Sequence, residues 1–126
     1  EAEKLSIEKP KPFVIFIHTD WCKICKMMEN TTFKNQEILK ELNRNFYFIS
    51  FNAETKIDIN FNKYTFKFKP KGTNSGVHEL AEELSNQIYP TLTILNSDYS
   101  ILMQIESFVN AKDLLQILQK TNQTNP

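Results

Sequence analysis

The hydrophobic and polar residues of the first part of the chain predict a strand, a helical connection and a second strand. Residues 13–17 are β-branched or aromatic without alternation, which is typical of a strand covered on both faces. The pattern turns helical at Cys22, and Asn35 is a candidate N-cap for a further helical stretch to about Asn43. Residues 46–51 predict a second buried strand. These segments form a βαβ unit, which favours parallel strands with a right-handed crossover. The buried stripe of the second helical stretch is predicted to be Ile38, Leu39 and Leu42.

The middle of the chain has a different period. Between residues 57 and 68 apolar and polar residues alternate around a turn at residues 62–63, and this pattern predicts a half-exposed antiparallel hairpin. Residues 70–76 are interpreted as a loop. Ser75 or Asn74 is then the predicted cap of a short helix. The apolar positions of this helix are Val77, Leu80, Ala81 and Leu84.

The last part of the chain predicts two more strands and a terminal helix. Residues 92–95 and 101–105 are apolar segments on either side of a polar turn, which indicates an antiparallel pair. Asn110 is a candidate N-cap for the helix, and residues 119–126 are expected to fray. The apolar face of the helix is Leu114, Leu115, Ile117 and Leu118.

The composition indicates one compact domain. The chain has 126 residues, of which 40% are hydrophobic, and this suffices for one core but not for two ordinary domains. Its 15 basic and 15 acidic residues cancel, so no overall field would attract nucleic acid or an anionic membrane. No apolar run approaches the roughly 20 residues needed to span a bilayer. We therefore expect no membrane span and no nucleic-acid partner.

Both cysteines of the chain lie close together, separated by two residues. They fall where the first strand passes into a helix, so they can close a small disulfide ring, and the helix dipole can stabilise a thiolate. Cys22, at the start of the helix, is the predicted nucleophile, and Cys25, one turn further on, is the predicted resolving thiol. The spacing therefore predicts a dithiol switch. No cofactor is predicted beyond this redox-active disulfide.

Side chains beside the cysteines are expected to shape the reactivity of the pair. Positive charges on Lys23 and Lys26 favour the Cys22 thiolate, and the carboxylate of Asp20 opposes them. Trp21 is expected to lie flat beside the sulfurs and to shape the approach of a substrate. The groups predicted to tune the pair are His18, Asp20, Lys26 and Glu29.

Two other roles for the cysteines stay open. They could be small buried hydrophobic side chains without chemistry. A CxxC pair is also half of many zinc sites, but only His18 and His78 could supply nitrogen ligands, and they fall in different predicted elements. We expect no metal site, and we interpret His78 as a surface residue of the short helix.

The alternating segment in the middle of the chain resembles a strand that stacks nucleic-acid bases. Because the net charge is zero, we favour an amphipathic strand with a solvated lysine edge, and a docking surface for a protein is the alternative. The alternating residues are Tyr64, Phe66 and Phe68 against Lys63, Lys67 and Lys69. The methionines predicted to lie in the core are Met27, Met28 and Met103.

Three segments, in order along the chain, resemble the thioredoxin-fold family. They are the apolar strand of residues 13–17, the motif Trp21-Cys22-Lys23-Ile24-Cys25-Lys26, and Tyr89-Pro90-Thr91. The resemblance covers roughly residues 10–118 and implies an α/β, thioredoxin-like fold with a central mixed β-sheet flanked by helices. In that family the proline is cis and packs against the active-site disulfide, and the residue before it offers its backbone to an extended substrate. The implied substrate groove comprises Trp21, Lys23, Ile24, Tyr89, Pro90 and Thr91.

The chain departs from the family pattern at three places. Thioredoxins carry a buried acid in the strand six residues before the first cysteine, and Phe16 occupies that position here. Glu29, His18 or water would have to replace the acid in proton transfer. The loop glycine before the last helix is Ser107, which implies a narrower or differently shaped groove. Residues 56–87 are longer than the matching segment of a minimal thioredoxin, so we assign the extra length to the predicted hairpin and short helix.

The domain organisation follows from these assignments. Residues 1–9 are predicted to be a flexible arm, and residues 10–120 a single thioredoxin-like domain. The insertion of about residues 56–87 precedes the cis-proline strand of this domain. Residues 121–126 are predicted to be a polar tail.

The resemblance implies a thiol-disulfide oxidoreductase that exchanges the Cys22–Cys25 pair with protein disulfides, with reduction the favoured direction. The alternative is a non-catalytic binding module with a structural or redox-sensing disulfide, which the missing acid at Phe16 favours. The implied partners are protein disulfides and an upstream thiol reductase, and we expect a monomer. The start at Glu1 and a similarity to secreted and periplasmic members favour an extracytoplasmic location over a cytoplasmic one.

Overall fold

The computed structural model describes residues 8–73 and 75–124. The predicted arm over residues 1–9 therefore lies almost entirely outside the described residues, as do residues 125–126 of the predicted tail. Within the described ranges, no helix is both long and apolar enough to cross a membrane. The strands are β1 (Phe13–His18), β2 (Tyr47–Asn52), β3 (Ile59–Phe61), β4 (Tyr64–Phe66), β5 (Phe68–Pro70), β6 (Gly76–His78), β7 (Thr91–Leu95) and β8 (Ile101–Ile105). The helices are α1 (Lys23–Asn30), α2 (Gln36–Asn45), α3 (Glu79–Leu84) and α4 (Ala111–Thr124), with a 3₁₀ turn at Thr32–Lys34.

The central sheet has four strands in the order β2-β1-β7-β8. Strand β1 pairs in parallel with β2, where Phe16 lies opposite Ser50, and antiparallel with β7, where Phe16 lies opposite Leu92. Strands β7 and β8 are antiparallel. The mixed sheet, the parallel βαβ unit and the antiparallel pair agree with the prediction from sequence.

Strand β1 separates two hydrophobic clusters, because its residues alternate between the faces of the sheet. Val14 and Phe16 belong to a cluster with both cysteines and with buried residues of α1, α2 and α4. Phe13, Ile15 and Ile17 belong to a second cluster that includes residues of the segment 56–87. Burial of residues 13–17 on both faces confirms the prediction for this strand.

The predicted helix caps are confirmed for α2 and α4. The side-chain oxygen of Asn35 accepts hydrogen bonds from the backbone N–H groups of Glu37 at 2.9 Å and Ile38 at 3.1 Å. The side-chain oxygen of Asn110 accepts one from the N–H of Asp113 at 2.8 Å. Each cap satisfies donors that the first turn of a helix leaves free.

The sequence placed some residues wrongly on these helices. Leu39 is 37% exposed, so it does not belong to the buried stripe of α2. Helix α4 continues to Thr124, past the point where fraying was predicted. Two methionines predicted to be in the core, Met27 and Met103, are exposed, whereas Met28 is fully buried.

The second strand is less buried than its apolar sequence predicts. Strand β2 is at the edge of the central sheet. Phe48 is 38% exposed, and Ser50 is also exposed, while Phe51 is buried on the opposite face. An edge strand with one covered face explains this alternation, and the correction is that β2 is not covered on both faces.

The segment between β2 and β7 forms two hairpins and a short helix. Strands β3 and β4 pair as predicted, and their turn places Asn62 at φ 53° and Lys63 at φ 63°, the left-handed conformation of a tight two-residue hairpin turn. A second hairpin of β5 and β6, with Phe68 opposite His78, was not predicted. The sequence indicated only a loop there because three-residue strands leave little periodicity.

Helix α3 begins later than the sequence predicted. Its N-cap is His78, not Ser75, and Val77 lies in β6 rather than in the helix. The other predicted cap, Asn74, lies outside the described residues. His78 is fully buried, so its interpretation as a surface residue is wrong.

Candidate active site

The two cysteines form a disulfide at the start of α1. Cys22 is the N-cap of this helix, and its sulfur accepts a hydrogen bond from the backbone N–H of Cys25 at 3.1 Å. The Cα atoms of the pair are 5.2 Å apart. Cys22 is 6% exposed and Cys25 is fully buried, so Cys22 is the sulfur that a substrate can reach. A backbone N–H directed at Cys22 Sγ, together with the positive end of the helix dipole, favours a thiolate at this position.

An apolar cluster lies beneath the disulfide. Both cysteines belong to the cluster that contains Phe16, Met28 and Phe33. Phe16 is only 1% exposed and packs against Phe33 with ring centroids 4.9 Å apart. A buried aromatic ring therefore occupies the position where thioredoxins carry an acid.

Trp21 and Tyr89 lie beside each other at the surface of the site. Their rings meet edge to face with centroids 6.0 Å apart, and Trp21 is 64% exposed. The Tyr89–Pro90 peptide bond is cis, and Pro90 and Thr91 are buried at the start of β7. Burial raises the pKa of the Tyr89 phenol, and the Glu54 and Glu82 carboxylates raise it further, so the phenol is neutral at physiological pH.

Asn52 and Glu54 complete the site, and the sequence did not indicate either of them. The indole N–H of Trp21 donates to both carboxylate oxygens of Glu54, at 3.1 and 3.2 Å. The side-chain amide of Asn52 donates to Asp20 at 3.0 Å, and its oxygen accepts from the backbone N–H of Glu54 at 2.9 Å. Because β1 and β2 are parallel, the loops that follow them meet at one edge of the sheet. This topological rule is the signal that could have located residues 52–54 beside residues 20–21.

His18 and Glu29, two of the predicted tuning groups, lie near each other. His18 Nδ1 is 3.9 Å from a carboxylate oxygen of Glu29, and His18 Nε2 is 3.0 Å from the hydroxyl of Ser50. The imidazole stacks on Phe16 with ring centroids 5.3 Å apart. Burial lowers the pKa of His18, and the Glu29 and Asp20 carboxylates oppose this effect by raising it. His18 is therefore neutral at physiological pH.

The other predicted residues of α1 lie on its solvent side. Lys23, Ile24 and Lys26 are exposed, and Ile24 is 49% accessible to solvent. Ile24 therefore adds apolar surface next to the disulfide.

The geometry does not bring a zinc ligand set together. His78 belongs to the opposite side of the sheet, where its ring meets Phe51 edge to face at 5.2 Å, whereas the cysteines belong to the first cluster. In the part of the chain that the structure describes, no group of three or more His, Cys, Asp or Glu side chains is placed to hold a metal ion.

The family assignment rests on the sequence as well as on the fold. The model of the thioredoxin-like domain family matches residues 1–122, so the chain belongs to this family. No curated protein matches the sequence significantly. The thioredoxin-like fold implied by the sequence motifs is thereby confirmed.

Solved structures with the same fold have low sequence identity to this chain. A thioredoxin-fold protein from Helicobacter pylori is 15% identical with a TM-score of 0.71, and the match covers 90% of this chain and 70% of that one. The oxidised C-terminal domain of DsbD from Neisseria meningitidis is 20% identical with a TM-score of 0.64, covering 94% and 88%. A structure described as DsbH oxidoreductase is 15% identical with a TM-score of 0.63, covering 98% and 80%. These similarities support thiol-disulfide redox chemistry as the general class of function.

Proposed function

We propose that the protein is a thiol-disulfide oxidoreductase that reduces protein disulfides through Cys22 and Cys25. The observation that carries this proposal is the Cys22–Cys25 disulfide at the N-terminus of α1, with the less buried sulfur beside the exposed Trp21. The arrangement combines a stabilised thiolate, a shielded second thiol and an apolar surface for a substrate.

The reaction has two steps. In the reduced protein, the Cys22 thiolate attacks one sulfur of the substrate disulfide and forms a mixed disulfide, and the released substrate thiolate takes up a proton. Cys25 then loses its proton and attacks Cys22 Sγ, which releases the second substrate thiol. Two electrons and two protons pass to the substrate, and the protein is left with the Cys22–Cys25 disulfide. An external dithiol, supplied by an upstream thiol reductase, restores the reduced protein.

Removal of the proton from Cys25 cannot use an acid at the position of Phe16. The two titratable groups nearest to this task are Glu29, one helical turn after Cys25, and His18, which lies 3.9 Å from Glu29. We assign the deprotonation of Cys25 to this pair acting through water.

The partners and the location are part of the same proposal. The exposed apolar side chains Trp21 and Ile24 suit a protein disulfide better than a small charged thiol. The similarity to DsbD and DsbH domains supports an extracytoplasmic location, and we propose that the protein acts as a monomer. Alkylation of free thiols in separated cell fractions tests the location, and sedimentation tests the oligomeric state.

The proposal is tested by reduction of insulin with dithiothreitol as electron donor. Wild type should accelerate the reaction, and Cys22→Ser should abolish the acceleration. The Cys25→Ser variant should accumulate a mixed disulfide on Cys22, because its resolving thiol is absent. Equal rates for wild type and both variants would reject catalysis, and trapping that required Cys25 would reverse the assigned order of attack.

The second candidate is a binding module whose disulfide is structural or senses redox state. The buried ring of Phe16 favours it, because the usual proton acceptor for the resolving thiol is absent. This function predicts a partner that binds the Cys22→Ser variant as well as wild type.

A further inference from the structure

A groove of about 540 Å³ extends from the active-site loop to the second hairpin. Asp20 and Trp21, directly before Cys22, line one side together with Glu54. Residues of the β5–β6 hairpin, among them Phe68 and Gly76, line the other side. The groove therefore starts at the disulfide and exists only because the chain inserts a second hairpin there.

The side of the groove next to the disulfide carries two ordered carboxylates. Asn52 holds the Asp20 carboxylate at 3.0 Å, and the Trp21 indole holds that of Glu54 at 3.1 and 3.2 Å. Among the residues that the structure describes, neither Asp20 nor Glu54 takes part in a salt bridge. These hydrogen bonds orient the carboxylates but leave their negative charge without a cationic partner.

The hairpin side of the groove is largely apolar. Lys56, the cation that lines the groove, has its ammonium nitrogen 5.9 Å from the centre of the Phe68 ring. Its charge is thus directed onto that ring rather than onto the carboxylates. The exposed Trp21 indole and the Phe68 ring supply apolar surface on the two sides.

This combination fits one kind of side chain. A long side chain with a cationic end can pack its methylene groups on aromatic surface while the cation faces carboxylates. Lysine and arginine have this shape, whereas an acidic side chain would meet Asp20 and Glu54 with like charge.

We propose that this groove is a specificity subsite that receives a lysine or arginine side chain flanking the target disulfide of the substrate protein. The proposal rests on the proposed function and adds to it a preference for basic sequence next to the cysteine. The inserted hairpin thereby selects among substrates that the disulfide alone would not distinguish.

The chain contains a single tryptophan, Trp21, so its fluorescence reports directly on the groove. The probes are peptides in which serine replaces the target cysteine and one flanking position is lysine, alanine or glutamate. Each flanking position is varied in turn. At low salt the best lysine peptide should bind roughly three- to tenfold more tightly than its glutamate counterpart, and high salt should reduce the difference.

Two variants separate the subsite from general charge effects. Glu54→Gln removes the charge but keeps an oxygen that can accept the Trp21 hydrogen bond, so it should remove most of the preference for lysine. Glu83→Gln changes an exposed carboxylate of α3 that does not line the groove, and it should keep the preference. Equal binding of all peptides by wild type, or tighter binding of the glutamate peptides, would overturn the subsite.

A second measurement distinguishes failure of the subsite from failure of the proposed function. Reduction of the small neutral 2-hydroxyethyl disulfide, with dithiothreitol as reductant, requires the cysteines but not the groove. If this disulfide is reduced while the peptides bind equally, the subsite alone is refuted. If the lysine peptides bind preferentially but no disulfide is reduced, the groove is supported as a binding site and the oxidoreductase proposal is refuted.

Discussion

His78 should be one of the most important single residues for the stability of the inserted segment. Its ring is fully buried and caps α3, because the backbone N–H of Leu80 donates to Nδ1 at 3.1 Å. Since Nδ1 accepts this bond, the ring proton of the neutral imidazole lies on Nε2, which donates to the carbonyl of Ile57 at 2.9 Å. One side chain thus joins the start of α3 to the segment that leads into the first hairpin.

The magnitude of the effect of His78→Ala follows from these contacts. Loss of the helix cap costs about 1 kcal/mol, and loss of the buried bond to Ile57 costs about another 1 kcal/mol. The void beside Phe51, whose ring meets the imidazole at 5.2 Å, adds about 1 kcal/mol. The free energy of unfolding should therefore fall by about 3 kcal/mol. For a domain of this size, that corresponds to a decrease in Tm of about 10 °C.

Urea denaturation of His78→Ala and His78→Asn measures this prediction. Asparagine is a good N-cap but cannot span the distance to Ile57, so His78→Asn should recover about 1 kcal/mol of the loss. A loss of less than about 1 kcal/mol in His78→Ala would refute the energetic argument. Equal stability of the two variants would refute the role of the imidazole as a cap.

Three further predictions concern pH, close packing and capping. Burial lowers the pKa of His18 below its ordinary 6.5, so the unfolded chain is protonated first, and the free energy of unfolding should decrease as pH falls below about 6.5. Urea titrations at pH 7.5 and 5.5 should show a smaller decrease for His18→Gln, and an identical decrease would contradict the lowered pKa. A Cβ at Gly76 would lie 2.9 Å from the Cα of Pro70 and even closer to the neighbouring strand, so Gly76→Ala should destabilise the second hairpin and expose its amides to hydrogen exchange. Unchanged exchange there would show that the hairpin can adjust. Asn35→Ala should cost about 1 kcal/mol in urea unfolding, whereas Asn43→Ala, at an exposed position in the same helix, should cost little; similar losses would argue against a specific cap.

Several features of this fold were predictable because they depend on local sequence. The unbroken apolar run of residues 13–17 identified the central strand, since only a strand covered on both faces has that composition. The caps Asn35 and Asn110 were found because a side-chain oxygen before an apolar helix satisfies free N–H groups within the same few residues. The turn at residues 62–63 was predictable for the same reason, because turn and strand signals are close together in sequence.

Other features depended on neighbours that are distant in sequence. The apolar sequence of β2 indicated full burial, but its position at the sheet edge exposes Phe48, and only the strand order decides which strand is at the edge. His78 was judged by its polarity and assigned to the surface. The packing of the inserted segment instead buries His78 and provides Ile57 and Leu80 as hydrogen-bond partners.

The same division holds for the candidate active site. The sequence by itself determined the cysteine pair, its place at the start of a helix and the absence of an acid at Phe16, because these properties need only spacing and residue type. The tertiary structure decided that Asn52 and Glu54 complete the site, because parallel pairing of β1 and β2 brings two loops to one sheet edge. It also decided that a second hairpin lines a groove beside Trp21, because that contact joins residues about 50 positions apart in the chain.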